Sequence, residues 1–278
     1  MTRLFGIIGS PISHSLSPAM HEAVLRALHL DALYAPFEVP PRFLASMLRG
    51  LILAGVDGLN VTVPLKEAVI PLLDRVDPTA RAIGAVNTIL IRHRRTIGYN
   101  TDGVGFMRAL AELGWRRGPT RAVILGAGGA ARAVAWELSR IPGSSVTIAN
   151  RHVLRAKQLA RWLLRAHPRA EIRATTLSRV SLTDATVLIN ATTVGMRRSD
   201  PLLVSVEALR RGMFVYDLVY HRETRLVRAA RRRGCVAANG LSMLLYQGAE
   251  SLRVWLRRSP PVDVMRRALI KAVAQQTS

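Results

Sequence analysis

Residues 122–125 read Ala-Val-Ile-Leu, and they run into Gly126-Ala127-Gly128-Gly129-Ala130-Ala131 and then a helix-forming Arg-Ala-Val-Ala-Trp. An apolar run stopped by glycines and followed at once by helix formers is a buried strand turning sharply into a helix. The spacing is G-x-G-x-x-A. The first glycine permits the tight turn, the second lets a ligand approach the backbone, and the small third residue lets helix and strand pack closely. Free N–H groups and the dipole at the helix start favour a phosphate there. Without its neighbours the string is only a glycine-rich turn; the strand before it and the helix after it make it a phosphate-binding candidate.

The same rhythm runs along the rest of the chain. Apolar runs predict strands at 4–8, 33–37, 58–63, 122–125, 145–149, 187–190 and 214–218, and a hairpin at 85–91 with 96–98. Helical periodicity predicts helices near 18–28, 42–53, 103–113, 130–139, 154–167, 204–211, 224–233, 242–257 and 262–274, with 114–120 a loop. Strands alternating with helices imply an α/β chain with parallel sheets covered by helices.

Composition removes several other classes. With 278 residues and 49% hydrophobic content the chain buries a core and is not disordered. Its one cysteine, Cys235, excludes a disulfide scaffold. The apolar run at 4–9 is too short for a signal-peptide core, and no segment has the apolar length of a membrane span. A soluble, cytoplasmic protein without a membrane partner is expected. The net charge of +22 suggests a polyanion partner. Yet 37 of the 40 cationic residues are arginines, spread along the chain, and the aromatic fraction is 5%. Spread arginines read as solvated faces, and few aromatics argue against single-strand stacking platforms. Arg222, Arg225, Arg228 and Arg231 recur every three residues on one helical stretch. That series keeps nucleic acid as the alternative from another class, but no nucleic-acid partner is expected.

The strand at 145–149 bears on the cofactor. A site for NAD usually ends this strand with an acid that accepts from the ribose 2′-hydroxyl. Here Asn150-Arg151-His152 follows, with Arg155 close behind. The acid is missing, and guanidinium groups stand where a 2′-phosphate needs them, so NADP(H) is the expected cofactor. The first half carries the chemistry, in Ser15-Leu-Ser17, Asn60-Val-Thr62-Val-Pro-Leu-Lys66, Ala85-Val-Asn87-Thr88 and Asn100-Thr-Asp102-Gly. Each is expected to follow a strand, at the edge where open α/β sheets build ligand sites. Ser15 and Ser17 are suited to hold a carboxylate, although Ser17 before Pro18 is also a natural helix cap. Lys66 stands out because the chain otherwise avoids lysine. Arginine does not release its proton in a protein, whereas lysine can. Lys66 with Asp102 forms a candidate general acid/base pair. The histidines lack ligand spacing, so no metal is expected.

Taken together, S-x-S-P after G-x-P-I-S-H-S, N-V-T-V-P-x-K, G-A-V-N-T, N-T-D-G-x-G, G-A-G-G-A and the late G-L-x-M-L-x-x-Q-G-A resemble the shikimate dehydrogenase family over nearly the whole chain. The resemblance implies NADPH-dependent reduction of 3-dehydroshikimate to shikimate, a small-molecule substrate, and a place in aromatic amino-acid biosynthesis. It implies a substrate domain at 1–102, a Rossmann-like NADP-binding domain at 103–239, and C-terminal helices at 240–278 that return to the substrate domain, with substrate and nicotinamide meeting between them. A homodimer is compatible with it. Substrate contacts fall on Ser15, Ser17, Thr62, Lys66, Asn87, Asp102, Tyr220 and Gln247, and the catalytic pair on Lys66 and Asp102. Cofactor contacts fall on Gly126, Ala127, Gly128, Gly129, Ala130, Asn150, Arg151, His152, Arg155, Thr192, Leu218 and Gly240. The chain departs from the family pattern at His152, Leu218 and Asn239. The nearest alternative on this fold is an NAD-using quinate or dual quinate/shikimate dehydrogenase; Ser17 and Asn150-Arg151 lean against it.

Overall fold

The computed structural model describes residues 2–277. Met1 and Ser278, the outermost residues of the first and last expected segments, lie outside the described residues. The chain divides into two compact units, one of residues up to Gly105 together with those from Leu244 onward, the other Phe106–Met243. The unit boundaries thus fall a few residues beyond 102 and 239, inside two helices.

The first unit begins with β1 (Arg3–Gly9), α1 (Ser17–Ala27), β2 (Ala32–Glu38), α2 (Leu44–Leu53) and β3 (Gly58–Val61). It continues with β4 (Arg75–Val76), α3 (Pro78–Ile83), β5 (Thr88–Arg92), β6 (Arg95–Tyr99) and the start of α4 (Asp102–Glu112). Its sheet runs β2-β1-β3-β5-β6-β4. β1 pairs in parallel with both β2 and β3, whereas β5 is antiparallel to β3 and to β6. The sheet changes winding direction between β1 and β3, which opens a crevice at their carboxyl ends. There Ser10 N–H donates to Val63 O at 3.1 Å, and Thr62 N–H donates to Ile8 O at 2.9 Å.

The second unit holds β7 (Arg121–Leu125), α5 (Gly129–Ser139), β8 (Ser145–Asn150), α6 (Val153–Ala166) and β9 (Glu171–Thr176). It goes on with β10 (Val187–Asn190), β11 (Phe214–Asp217), α7 (Arg225–Arg232) and β12 (Val236–Asn239). All six strands are parallel, in the order β12-β11-β10-β7-β8-β9. This is a doubly wound sheet whose switch point lies between β7 and β10.

The chain ends with α8 (Leu241–Leu256) and α9 (Val262–Thr277). Trp255 near the end of α8 is fully buried and stacks on Phe5 of β1, with ring centroids 5.0 Å apart. Its indole N–H donates to Ile89 O at 2.9 Å. Gly58 of β3 makes room for it, since a Cβ there would lie 2.5 Å from Trp255 Nε1. This contact clamps α8 to the first sheet.

Several expected elements differ. Residues 204–211 form successive turns, not a helix. Ala208 N–H donates to Ser205 O and Leu209 N–H to Val206 O, and the Ser205 hydroxyl accepts from Glu207 N–H at 3.3 Å, an alternative to helical bonding. The second sheet has six strands where apolar runs indicate four. The two extra ones, β9 and β12, are its edges, and a polar run such as Glu171–Thr176 carries no buried-strand signature. β4 and α3 are likewise additional, and β5 begins at Thr88, so Ala85, Val86 and Asn87 precede a strand where they were expected to follow one. No described helix is long and apolar enough to cross a membrane.

Trp255→Ala removes a large buried ring and its hydrogen bond to Ile89 O. A loss of about 3–5 kcal/mol is expected, read as a lower urea midpoint for the first unit.

Candidate active site

Antiparallel pairing decides which ends of the strands meet. Thr88 of β5 pairs with Asn60 of β3 and with Tyr99 of β6. The start of β5 therefore lies beside the carboxyl ends of β3 and β6. Thr62 and Lys66 follow β3, Asn87 precedes β5, and Asp102 follows β6 as the first residue of α4. All four reach the same edge of the sheet.

Asn87 is the hub, 1% exposed. Its carbonyl oxygen accepts from Thr101 N–H at 2.8 Å and from the Thr88 hydroxyl at 3.1 Å. With donors fixed at the oxygen, the amide nitrogen must face the other way. It donates to Asp102 Oδ1 at 2.9 Å and lies 3.2 Å from Gln247 Oε1. An ionised carboxylate only accepts, so this orientation suits a charged Asp102. Asp102 Oδ2 accepts from Lys66 Nζ at 2.5 Å. The side chains of this pair are 13% and 4% exposed, so their attraction is little screened by solvent. Asp102 also opens α4, where the helix dipole favours negative charge, and its N–H donates to Asn100 Oδ1 at 3.1 Å.

A second layer of hydroxyls supports the hub. Ser251 on α8 lies 2.7 Å from the Thr88 hydroxyl, accepts from Asn60 Nδ2 at 2.9 Å and donates to Gln247 O at 3.0 Å. Asn60 in turn accepts from the Tyr34 hydroxyl at 2.8 Å. Gln247 approaches α4 only because Gly105 lacks a side chain; a Cβ there would stand 2.7 Å from Gln247 N.

Ser15 lies on the loop after β1 and Ser17 opens α1; neither takes part in that network. Ser17 is buried, and α1 has no side-chain cap, so its hydroxyl is not spent as a helix cap. Ser15 Oγ accepts from Ser17 N–H at 3.3 Å. Glu38, which sequence reasoning missed, holds this loop: Oε1 accepts from the Ser10 hydroxyl at 2.6 Å and Oε2 from Ile12 N–H at 2.8 Å.

The second unit carries Tyr220 and every expected cofactor residue. Gly126 has φ +114°, and a Cβ there would lie 2.8 Å from Ala191 O, so only glycine fits the turn. Gly128 is exposed with open space at its Cβ position, and α5 begins without a side-chain cap. Ala127 is buried beneath the loop, with Gly129 and Ala130 in the first turn of α5. Unspent N–H groups beside an open glycine fit a pyrophosphate. Arg151, His152 and Arg155 are exposed at the start of α6, which also lacks a side-chain cap, and Asn150 Oδ1 accepts from His152 N–H at 2.9 Å. That geometry suits a second phosphate. Gly240 presses against the Leu218 carbonyl so closely that any Cβ would collide. Thr192 donates its hydroxyl to Asn190 Oδ1 at 2.7 Å. Asn239 acquires a role: its amide nitrogen reaches Tyr220 O at 3.4 Å, and its oxygen accepts from Leu241 N–H at 3.3 Å.

Of the arginine series, Arg225, Arg228 and Arg231 lie on α7 and are engaged within the chain, while Arg222 precedes the helix. Arg225 donates to Asp200 O at 3.3 Å, Arg228 and Arg231 reach Glu223 at 3.4 and 2.7 Å, and Arg231 also donates to Ala237 O at 3.2 Å. Among the described residues, no cluster of His, Cys, Asp and Glu could hold a metal ion.

Comparison with known proteins gives a consistent picture. Residues 7–89 match the shikimate dehydrogenase substrate-binding domain, 111–218 the shikimate/quinate 5-dehydrogenase domain, and 240–270 the shikimate 5′-dehydrogenase C-terminal domain. The shikimate dehydrogenase (NADP+) of Symbiobacterium thermophilum is 47% identical over 282 aligned positions, covering 99% of this chain and 96% of its own. A crystal structure of shikimate dehydrogenase in complex with NADP+ superposes with a TM-score of 0.92 at 38% identity, covering 98% of this chain and 96% of that one. The shikimate 5-dehydrogenase of Thermus thermophilus in complex with NADP(H) and shikimate gives a TM-score of 0.86 at 37% identity, covering 98% and 100%. By sequence and by fold, this chain belongs to the shikimate/quinate dehydrogenase family.

Proposed function

We propose that this chain is an NADP-dependent shikimate dehydrogenase, interconverting 3-dehydroshikimate and shikimate. The observation that carries the reading is the Lys66–Asp102 pair, fixed by Asn87 and sealed by Gln247. NADP(H), when bound, supplies or accepts the hydride. The rest falls to the protein. Ser15 and Ser17 bind the substrate carboxylate through neutral hydroxyls. Thr62, Asn87, Asp102 and Gln247 offer the donors and acceptors that a ring bearing several hydroxyls needs, and Tyr220 adds one more. Lys66 gives a proton to the carbonyl oxygen as negative charge develops on it, and takes one from the alcohol in the reverse direction. Asp102 holds the ammonium group and a ring hydroxyl in line.

On the cofactor side, Gly126 to Ala130 take the pyrophosphate, while Asn150, Arg151, His152 and Arg155 take the 2′-phosphate. Thr192, Leu218 and Gly240 shape the nicotinamide end. The absence of an acid at the end of β8 supports NADP over NAD, and Ser17 together with Asn150-Arg151 supports shikimate over the NAD-using quinate alternative. The pieces 1–102 with 240–278 and 103–239 then serve as substrate and cofactor domains. Cys235, a free buried thiol, suits a reducing, cytoplasmic setting.

Lys66→Arg keeps the charge but replaces a group that can give up a proton with one that stays protonated. It should fold normally and lose roughly 10²–10⁴-fold in kcat; near-normal turnover excludes proton transfer by Lys66. Arg151→Ala should cost NADPH about 1.5–3 kcal/mol in kcat/KM and leave NADH unchanged. Equal loss with both cofactors places Arg151 away from the 2′-phosphate.

A further inference from the structure

Asp217 closes β11 and is 0% exposed. Its Oδ1 accepts from Asn190 Nδ2 at 2.9 Å and from Val219 N–H at 3.1 Å, and its Oδ2 accepts from the Thr224 hydroxyl at 2.6 Å. These are neutral donors. Arg197, Arg198, Arg222 and Arg225 line a small adjoining cavity with Asp217 and Asp200. Among the described residues, none of these arginines forms an ion pair with Asp217. Burial pushes its carboxyl up to about 6, against the downward pull of the hydrogen bonds from Thr224, Val219 and Asn190. A buried carboxylate without a cation weighs against stability, so its retention calls for a function.

Its donors share a location. Asn190 ends β10 and holds the loop that follows: its oxygen accepts from the N–H and hydroxyl of Thr192 at 3.1 and 2.7 Å, and Val194 N–H donates to the Thr192 hydroxyl at 3.1 Å. Ala191 and Thr192 abut Gly126 of the dinucleotide loop. Val219 stands between Leu218 and Tyr220, and its carbonyl accepts from Gly240 N–H at 3.1 Å. Thr224 caps α7, accepting from Val227 N–H at 3.2 Å. One carboxylate thus ties the loop after β10 to the loop after β11.

We propose that Asp217 is a positioning residue for the nicotinamide end of the cofactor, its ionised carboxylate locking the two loops that carry Thr192, Leu218 and Tyr220 into a single wall. The inference rests on the NADP-dependent reading of the site. Protonation removes the charge that strengthens the bonds Asp217 accepts from Asn190, Val219 and Thr224, so the wall loosens as pH falls through the carboxyl's titration. Stability moves the opposite way. A raised carboxyl pKa means that the folded chain holds the proton more tightly than the unfolded one, so this group adds stability as pH falls from about 6 towards the ordinary carboxyl value. A residue that only braces the fold would not separate the two trends.

The test compares NADPH with 2′-phospho-ADP-ribose, which lacks only the nicotinamide. In Asp217→Asn, NADPH affinity should fall about tenfold, the fragment should keep its affinity within about twofold, and the melting temperature at pH 7.5 should hold or rise. Equal weakening of both ligands, or of neither, overturns the proposal. Should that variant not fold, the unmodified chain still decides. The ratio of NADPH to fragment dissociation constants should rise as pH falls below 7, with a midpoint near 6. The 2′-phosphate titrates in both ligands and cancels, and a flat ratio overturns the proposal. Failure of the unmodified chain to bind even the fragment overturns the cofactor reading along with it.

Discussion

The orientation of one carboxamide underlies the rest of the site. Asn87 has an acceptor end and a donor end, and its surroundings leave no choice between them. Thr101 N–H and the Thr88 hydroxyl occupy the oxygen, so the nitrogen turns to Asp102 and Gln247. Reversing the amide would set donor against donor on one side and acceptor against acceptor on the other, in a pocket with little water to relieve it. Asp102 therefore meets donors on both oxygens, and Lys66 is held in a single geometry.

This arrangement depends on topology as much as on chemistry. An all-parallel first sheet would put the start of β5 at the edge opposite the carboxyl ends of β3 and β6. The antiparallel pairings bring Asn87 back to that edge. α8 completes the site from a distant part of the sequence, bringing Gln247 and Ser251, and Trp255 seated over Gly58 fixes its position. The second sheet follows the simpler rule, with Gly126 and Thr192 abutting at its switch point. Asp217 and Asn87 make an instructive contrast. Both order loops through buried polar groups, but the neutral Asn87 does so without the desolvation cost that a carboxylate bears.

Much of this was legible in the sequence, for definite reasons. Buried strands of the parallel sheet read as apolar runs, and the glycine loop reads directly because each glycine answers a steric demand. Lys66 was visible through the scarcity of lysine elsewhere. Edge strands β9 and β12 were not visible, because an edge needs no apolar run. The turns at 204–211 carried a helix-like pattern, yet Ser205 offered the backbone other partners. The support for Asn87 escaped notice since Thr88, Thr101 and Ser251 look like ordinary polar residues until the fold gathers them. Glu38 and Asp217 escaped likewise, because a carboxylate that only accepts from nearby loop donors has no distinctive spacing.

That Lys66 and Asp102 act as one unit is open to direct test by a double-mutant cycle on kcat for shikimate oxidation with NADP+. Lys66→Met, Asp102→Asn and the double variant should show strong non-additivity, because either single change already dismantles the pair. The double variant should be no slower than the worse single variant. Losses that multiply would show two residues acting independently and would contradict it.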